Sequence, residues 1–158
     1  MKKFKVEVVE GKDSHVDAIV GNLRKADRDE VMSATGKDPD IALIDAWKTS
    51  VFRWAILLDG IVIGVFGVSE TSVKDIGVPW LLGTDKMKEI KISFVRQCKI
   101  YIDSMLDRFD RLINYVDARN TDSIKWLRWC GFHVFEPLPY GVDGDLFCMF
   151  FKKRGLDV

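Results

Sequence analysis

The chain opens on an alternation. Phe4, Val6 and Val8 are apolar while Lys5 and Glu7 are charged, which predicts a half-buried first strand ending near Gly11. Helical spacing then takes over: Val16, Ile19, Val20 and Leu23 recur every three to four residues behind Asp13 or Ser14 as a cap. A charged run over 24–30 follows before Val31 and Met32, and Gly36 closes the region. Asp38-Pro39-Asp40 opens another helical stretch, with proline tolerated in the first turn and Ile41, Ile44 and Trp47 on one face. Residues 53–58 and 61–68 are rich in β-branched and aromatic side chains and flank Asp59-Gly60, which predicts an antiparallel hairpin. Gly64 and Gly67 interrupt its second strand, as expected at a bulge or a close backbone approach.

After a polar link, residues 77–83 read as a short buried strand with Pro79 at its start, and Thr84-Asp85 caps a long helix. That helix carries Ile90, Phe94, Cys98, Tyr101, Ile102, Met105 and Phe109 on one stripe, with Lys91, Arg96, Lys99 and Asp103 opposite. A strand over 112–116, a helix over 120–129 ended by Gly131, a strand over 132–135 broken by Pro137 and Pro139, and a last strand over 146–151 complete the chain. The loop 141–145 is the expected tip of a terminal hairpin, since its carboxylates are too few and wrongly spaced for an EF-hand. This order places βαβ crossovers around a mixed sheet in one α/β domain over residues 1–158.

Composition narrows the function classes. Of the 158 residues, 47% are hydrophobic and 30% charged, which suits one ordinary domain with its own core and excludes a disordered chain. The 24 Lys and Arg balance the 24 Asp and Glu, so the electrostatic footprint of a nucleic-acid or anionic-lipid binder is missing and no nucleic-acid partner is expected. No apolar stretch approaches bilayer length and the N-terminus turns charged at once, which predicts neither a signal peptide nor a membrane span, and a cytoplasmic location. Cys98, Cys130 and Cys148 read as reduced, buried core thiols. His15 and His133 lie at no ligand spacing from them, so no metal is expected.

The segment 120–132, with Asn120, Ser123, Trp126 and the closing Gly131-Phe132, together with the element order, resembles the GNAT N-acetyltransferase superfamily. Leu127 stands where that superfamily places a tyrosine. The runs 23–30, 78–84 and 114–120, with Trp126-Leu127, resemble more narrowly a phage-encoded, acetyltransferase-like family that includes an internal virion protein of short-tailed phages. The resemblance implies a single GNAT-like domain with a mixed, centrally splayed sheet flanked by helices. It implies acetyl-CoA as cofactor and an unknown amine as acceptor, or else a catalytically silent protein of virion assembly with a phage or host protein as partner. A phage-encoded chain would then act in the host cytoplasm or enter the virion.

The resemblance also assigns candidate residues. A loop of Arg or Gln, two residues, Gly, any residue, then Gly or Ala would hold the CoA pyrophosphate, because amides at a helix N-terminus favour an anion. This chain has only Gly83-Thr84-Asp85-Lys86-Met87-Lys88 there. Two readings stay open: the amides of Gly83 and Thr84 with Lys86 or Lys88 form a shortened cradle, or Thr84 and Asp85 simply cap the helix above a solvated lysine face. Trp80, Leu81 and Leu82 would line the cofactor on the fourth strand, and Asn120 would both cap its helix and touch the CoA arm. Transfer needs a proton acceptor for the amine and a donor for the thiolate. Glu70, just beyond the third strand, is the candidate base, and Tyr115 the remaining candidate acid.

Overall fold

β1 (Val6–Glu10) pairs antiparallel with β2 (Ser50–Leu58), in a computed structural model that describes residues 4–155. Between them run α1 (Asp13–Ile19), α2 (Lys25–Thr35) and α3 (Pro39–Thr49). The α3 start is the expected one: Asp38 Oδ1 accepts the N–H groups of Asp40 and Ile41, and Pro39 occupies the first turn. β2 turns into β3 (Ile61–Glu70) through Asp59 and Gly60, both at positive φ (49° and 81°), as a tight hairpin of this hand requires.

The remaining elements are β4 (Ile76–Gly83), α4 (Lys91–Arg108), β5 (Arg111–Asp117), α5 (Thr121–Trp129), β6 (His133–Val134), β7 (Leu138–Tyr140) and β8 (Asp145–Lys153). They complete a mixed sheet in the order β1-β2-β3-β4-β5-β8-β6, with β7 also on β8. Neighbours are antiparallel throughout except for β4 and β5, which run parallel.

Both sheet faces are covered, which is why β3 is buried almost along its length. On one face Ile19, Leu43 and Trp47 of α1 and α3 pack on Ala55, Val65 and Leu82. On the other, the predicted α4 stripe from Ile90 to Phe109 packs on Phe66, Val68, Leu112 and Val116. No helix among the described residues is long and apolar enough to cross a membrane.

Three expectations need correction. The long helix does not start at Thr84. Residues Asp85–Glu89 form a 3-10 turn capped by Thr84, whose side chain accepts the Lys86 N–H, and the α-helix begins only after Ile90. Met87 causes the break by burying its side chain over Gly64 and Gly83, which face each other across β3 and β4. A Cβ on Gly83 would lie 2.5 Å from Met87 Cγ, and one on Gly64 2.9 Å from Met87 Sδ. Pro79 is not at a strand start but the fourth residue of β4, and the strand 132–135 shrinks to two residues. Pro139 then sits in the short strand β7, opposite Leu146 of β8.

Candidate functional site

The parallel pairing of β4 and β5 ends almost as soon as it begins. Ile76 faces Arg111 and Gly77 faces Leu112, and beyond those two pairs the strands part. Alternation along β4 sets which backbone groups look into the gap. The Thr84 N–H donates to Ile63 O on the β3 side at 2.8 Å, while the Gly83 N–H points the other way. Leu81 N–H shares the direction of Gly83, and so does position 79, where proline has no N–H to leave unmet. Asn114 of β5 bridges the opening instead: its Nδ2 donates to Pro79 O at 2.7 Å, while its Oδ1 accepts the Tyr115 N–H at 2.8 Å.

α4 and α5 roof the gap. Phe94 of α4 stacks on Trp126 of α5 with ring centroids 5.8 Å apart, and an apolar cavity of about 70 Å³ lies beneath. Outside the stack the gap opens into a cleft of about 570 Å³, within the size range of small-molecule sites. Leu81, Phe94, Asn120 and Trp126 form its walls, and Arg24, Arg96 and Lys125 bring positive charge against one carboxylate, Asp122. Trp129, 74% exposed, stands on its edge. A second hollow of about 340 Å³ adjoins it past Asn120 and is lined by Asp29, Asp117 and Arg119.

α2 closes the far end of the opening with two carboxylates one turn apart. Asp27, 2% exposed, accepts the Gly83 N–H at 2.9 Å through Oδ2 and pairs with Arg24 Nε at 2.9 Å through Oδ1. The Arg24 N–H in turn donates to Gly83 O at 2.9 Å. Glu30 Oε1 accepts the Asp117 N–H at the end of β5, at 2.6 Å. Burial raises both carboxyls: it outweighs Arg24 at Asp27, and it pushes Glu30 up to about 7, against the hydrogen bond from Asp117 and with help from the charges of Asp27 and Asp117. Asp117 goes the other way, held low by the Arg119 guanidinium at 2.7 and 3.0 Å.

The structure brings together some of the sequence candidates and separates others. Leu81 lines both the cavity and the cleft, and Asn120 caps α5 through Ser123 N–H while lining the cleft. Trp80 borders the inner cavity, with its indole N–H donating to Ser50 Oγ at 2.7 Å, and Leu82 is buried against α1 and α3. The Gly83 and Thr84 amides are already taken, by Asp27 and Ile63. Lys86 is exposed and lies 3.7 Å from Glu89, Lys88 is exposed, and neither is among the cleft's lining residues.

Glu70 lies opposite Gly77, at the end where β4 and β5 are still paired, and its Oε1 accepts from Arg108 at 2.8 Å. Tyr115 stacks on Tyr140 at 3.9 Å and does not line the cleft. Sequence reasoning missed Arg24, Asp27 and Glu30. Their three-residue spacing on a helix was the available signal, hidden inside what reads as a solvated charge run.

Comparisons fit this geometry. Residues 59–136, just under half of the chain, match the family model described as "Bacteriophage T7, probable scaffold protein Gp13". No curated protein sequence matches the chain significantly. Among solved structures, the acetyltransferase of GNAT family from Streptococcus pneumoniae superposes with a TM-score of 0.64 at 13% identity, covering 96% of this chain and 100% of that one. Spermidine N-acetyltransferase from Vibrio cholerae, in complex with CoA and spermine, gives 0.66 at 12% identity over 94% and 95%. Ribosomal-protein-S5-alanine acetyltransferase from Vibrio fischeri gives 0.65 at 16% identity over 100% and 97%. At these TM-scores and low identities the likeness is one of fold, and the chain has the GNAT fold.

Proposed function

We propose that the protein is an N-acetyltransferase that takes acetyl-CoA into the cleft between β4 and β5 and passes the acetyl group to an amine. One observation carries this reading: the two strands part after Gly77 and Leu112 and leave a cleft of about 570 Å³ bordered by three cations. The residues present fit the cofactor in a manner of their own. Arg24, Arg96 and Lys125 supply a positive field for its phosphates, and Leu81 N–H faces the gap as a donor for an amide carbonyl of its arm. Asn120 and Trp126 form the opposite wall. When bound, acetyl-CoA supplies the thioester that an amine attacks.

Glu30 is the candidate proton acceptor, because burial raises its carboxyl to about 7 and it stands one turn along α2 from Ala26, which lines the cleft. Glu70 is paired with Arg108 away from the cleft, and Tyr115 is stacked on Tyr140, so neither enters this reading.

A second reading has its own support. The Gly83 and Thr84 amides, which would cradle pyrophosphate, are hydrogen-bonded within the fold, and the family model that matches is that of a phage scaffold protein. On that reading the chain keeps the fold without catalysis and acts in virion assembly through a phage or host protein. Isothermal titration with acetyl-CoA, and with CoA as a second ligand, separates the two. Micromolar binding supports the enzyme, and an acceptor screen with amines follows. Absence of heat and of any thermal shift at millimolar ligand overturns it and leaves the assembly reading.

A further inference from the structure

The Phe94–Trp126 stack joins α4 to α5. One helical turn further along each helix stand Cys98 and Cys130, and their sulfurs lie 2.8 Å apart. Both residues are buried, at 3% and 4% exposure. Two sulfurs that are not bonded normally keep further apart than this, while a disulfide closes to about 2.05 Å. The side chains are therefore already aimed at each other, and bond formation needs only a small approach of the two helices.

The surroundings make the two thiols unequal. Cys98 sits below its ordinary value, chiefly because the Cys130 thiol donates to its sulfur. The Trp126 indole adds to this: its buried Nε1–H has no oxygen or nitrogen acceptor among the described residues and favours an anionic sulfur at Cys98. Cys130 is raised in turn, so it is the member that keeps its proton. Lys152 is buried with its ammonium 3.4 Å from Gly131 O, next to Cys130, where its charge favours the thiolate once that proton leaves. Cys148, the third buried thiol, is pushed up by burial. The apolar cavity that Cys98 and Trp126 line, about 70 Å³, has room for a molecule of peroxide size and shares Leu81, Phe94 and Trp126 with the open cleft.

We propose that Cys98 and Cys130 form a redox-active dithiol, which hydrogen peroxide converts into a disulfide tying α4 to the end of α5. The Cys98 thiolate attacks one peroxide oxygen, the O–O bond breaks, and the departing hydroxide takes a proton to become water, leaving a sulfenic acid. The Cys130 sulfur then attacks Cys98 sulfur, the S–O bond breaks, and the hydroxyl leaves as water with the Cys130 proton. In sum, two thiols are oxidised and one peroxide is reduced to two waters. The disulfide fixes the helices one turn below the Phe94–Trp126 stack, so oxidation state sets how freely the roof of the cleft can move.

The test exposes the purified full chain to a slight excess of hydrogen peroxide, quenches by alkylation and maps peptides without reduction. The expected result is a Cys98–Cys130 cross-linked peptide as the main product, Cys148 still alkylated, reversal by a phosphine reductant, and a melting temperature several degrees higher in the oxidised form. Cys148→Ser forms the same cross-link, and Cys98→Ser loses it. Because the wild-type map alone decides the question, a serine variant that fails to fold does not shelter the idea. Recovery of Cys98 and Cys130 as alkylated thiols or as sulfinic acids, without a cross-link, overturns it.

Discussion

Asp27 and Glu30 lie one helical turn apart on α2, and between them they take a backbone N–H from each of the two strands that part, Gly83 on β4 and Asp117 on β5. One short helix face thus ties the ends of two diverging strands. It does so with carboxylates whose burial is costly, which concentrates the consequences of mutation and of pH in these two positions.

At Asp27 the expected outcome depends on whether an acceptor remains. Asp27→Ala leaves a buried Gly83 N–H and the Arg24 guanidinium without their partner, and a loss of about 3 kcal/mol in denaturant unfolding is expected. Asp27→Asn keeps a carbonyl for Gly83 N–H and removes a charge whose burial already raises its pKa, so about 1 kcal/mol is expected. Equal losses for the two variants would show that the Gly83 hydrogen bond is not what Asp27 contributes.

Glu30 predicts a pH dependence of defined sign. Its folded value of about 7 lies above the ordinary 4.5, so between those pH values the folded protein holds a proton that the unfolded chain releases. The group therefore favours folding fully below about pH 4.5, and that contribution disappears as the pH rises through about 7. It amounts to something on the order of 3 kcal/mol. Glu30→Gln keeps an oxygen for the Asp117 N–H and does not titrate. Unfolding free energies measured from pH 5 to pH 8 should fall more steeply for the wild type than for the variant, and parallel curves would remove Glu30 as the titrating group.

Asn114 is the side chain that spans the parting strands where the backbone ladder has stopped. Asn114→Ala leaves Pro79 O without its donor, and a cost of about 1–3 kcal/mol is expected. Because the same residue holds β4 against β5, hydrogen exchange of the β4 amides should quicken more than that of β2 or β3. A uniform increase across the sheet would mean that the bridge has no local effect.

The parts of this architecture carried by near neighbours were legible in the sequence. Asp59-Gly60 announces the β2–β3 hairpin, the Ile90 to Phe109 stripe announces α4, and Asn120 with Gly131 brackets α5. The site was less legible because its partners are distant in sequence. Asp27 meets Gly83 56 residues away and Glu30 meets Asp117 87 residues away, so a run that reads as a solvated face becomes a buried tie. Lys86 and Lys88 stand outside the cleft's lining for a local reason: Met87 buries over two glycines, and the 3-10 turn around it leaves its flanking lysines exposed. Widely spaced Cys98 and Cys130 gave no sign of meeting.

That contrast between the lysines yields a binding prediction. If acetyl-CoA occupies the cleft, its phosphates meet the charges that border it and not those that follow β4 in sequence. Lys125→Glu should weaken acetyl-CoA binding by about tenfold, equivalent to ~1.4 kcal/mol, while Lys86→Glu and Lys88→Glu stay within about twofold of the wild type. The wild-type affinity should also fall as salt is raised, since Lys125 is exposed and its field is screened over about 10 Å at 0.1 M ionic strength. Titration of the three variants at two ionic strengths decides the matter. A larger effect at Lys86 or Lys88 than at Lys125 would return the phosphates to the turn after β4, and would require the Gly83 amide to exchange Asp27 for the ligand.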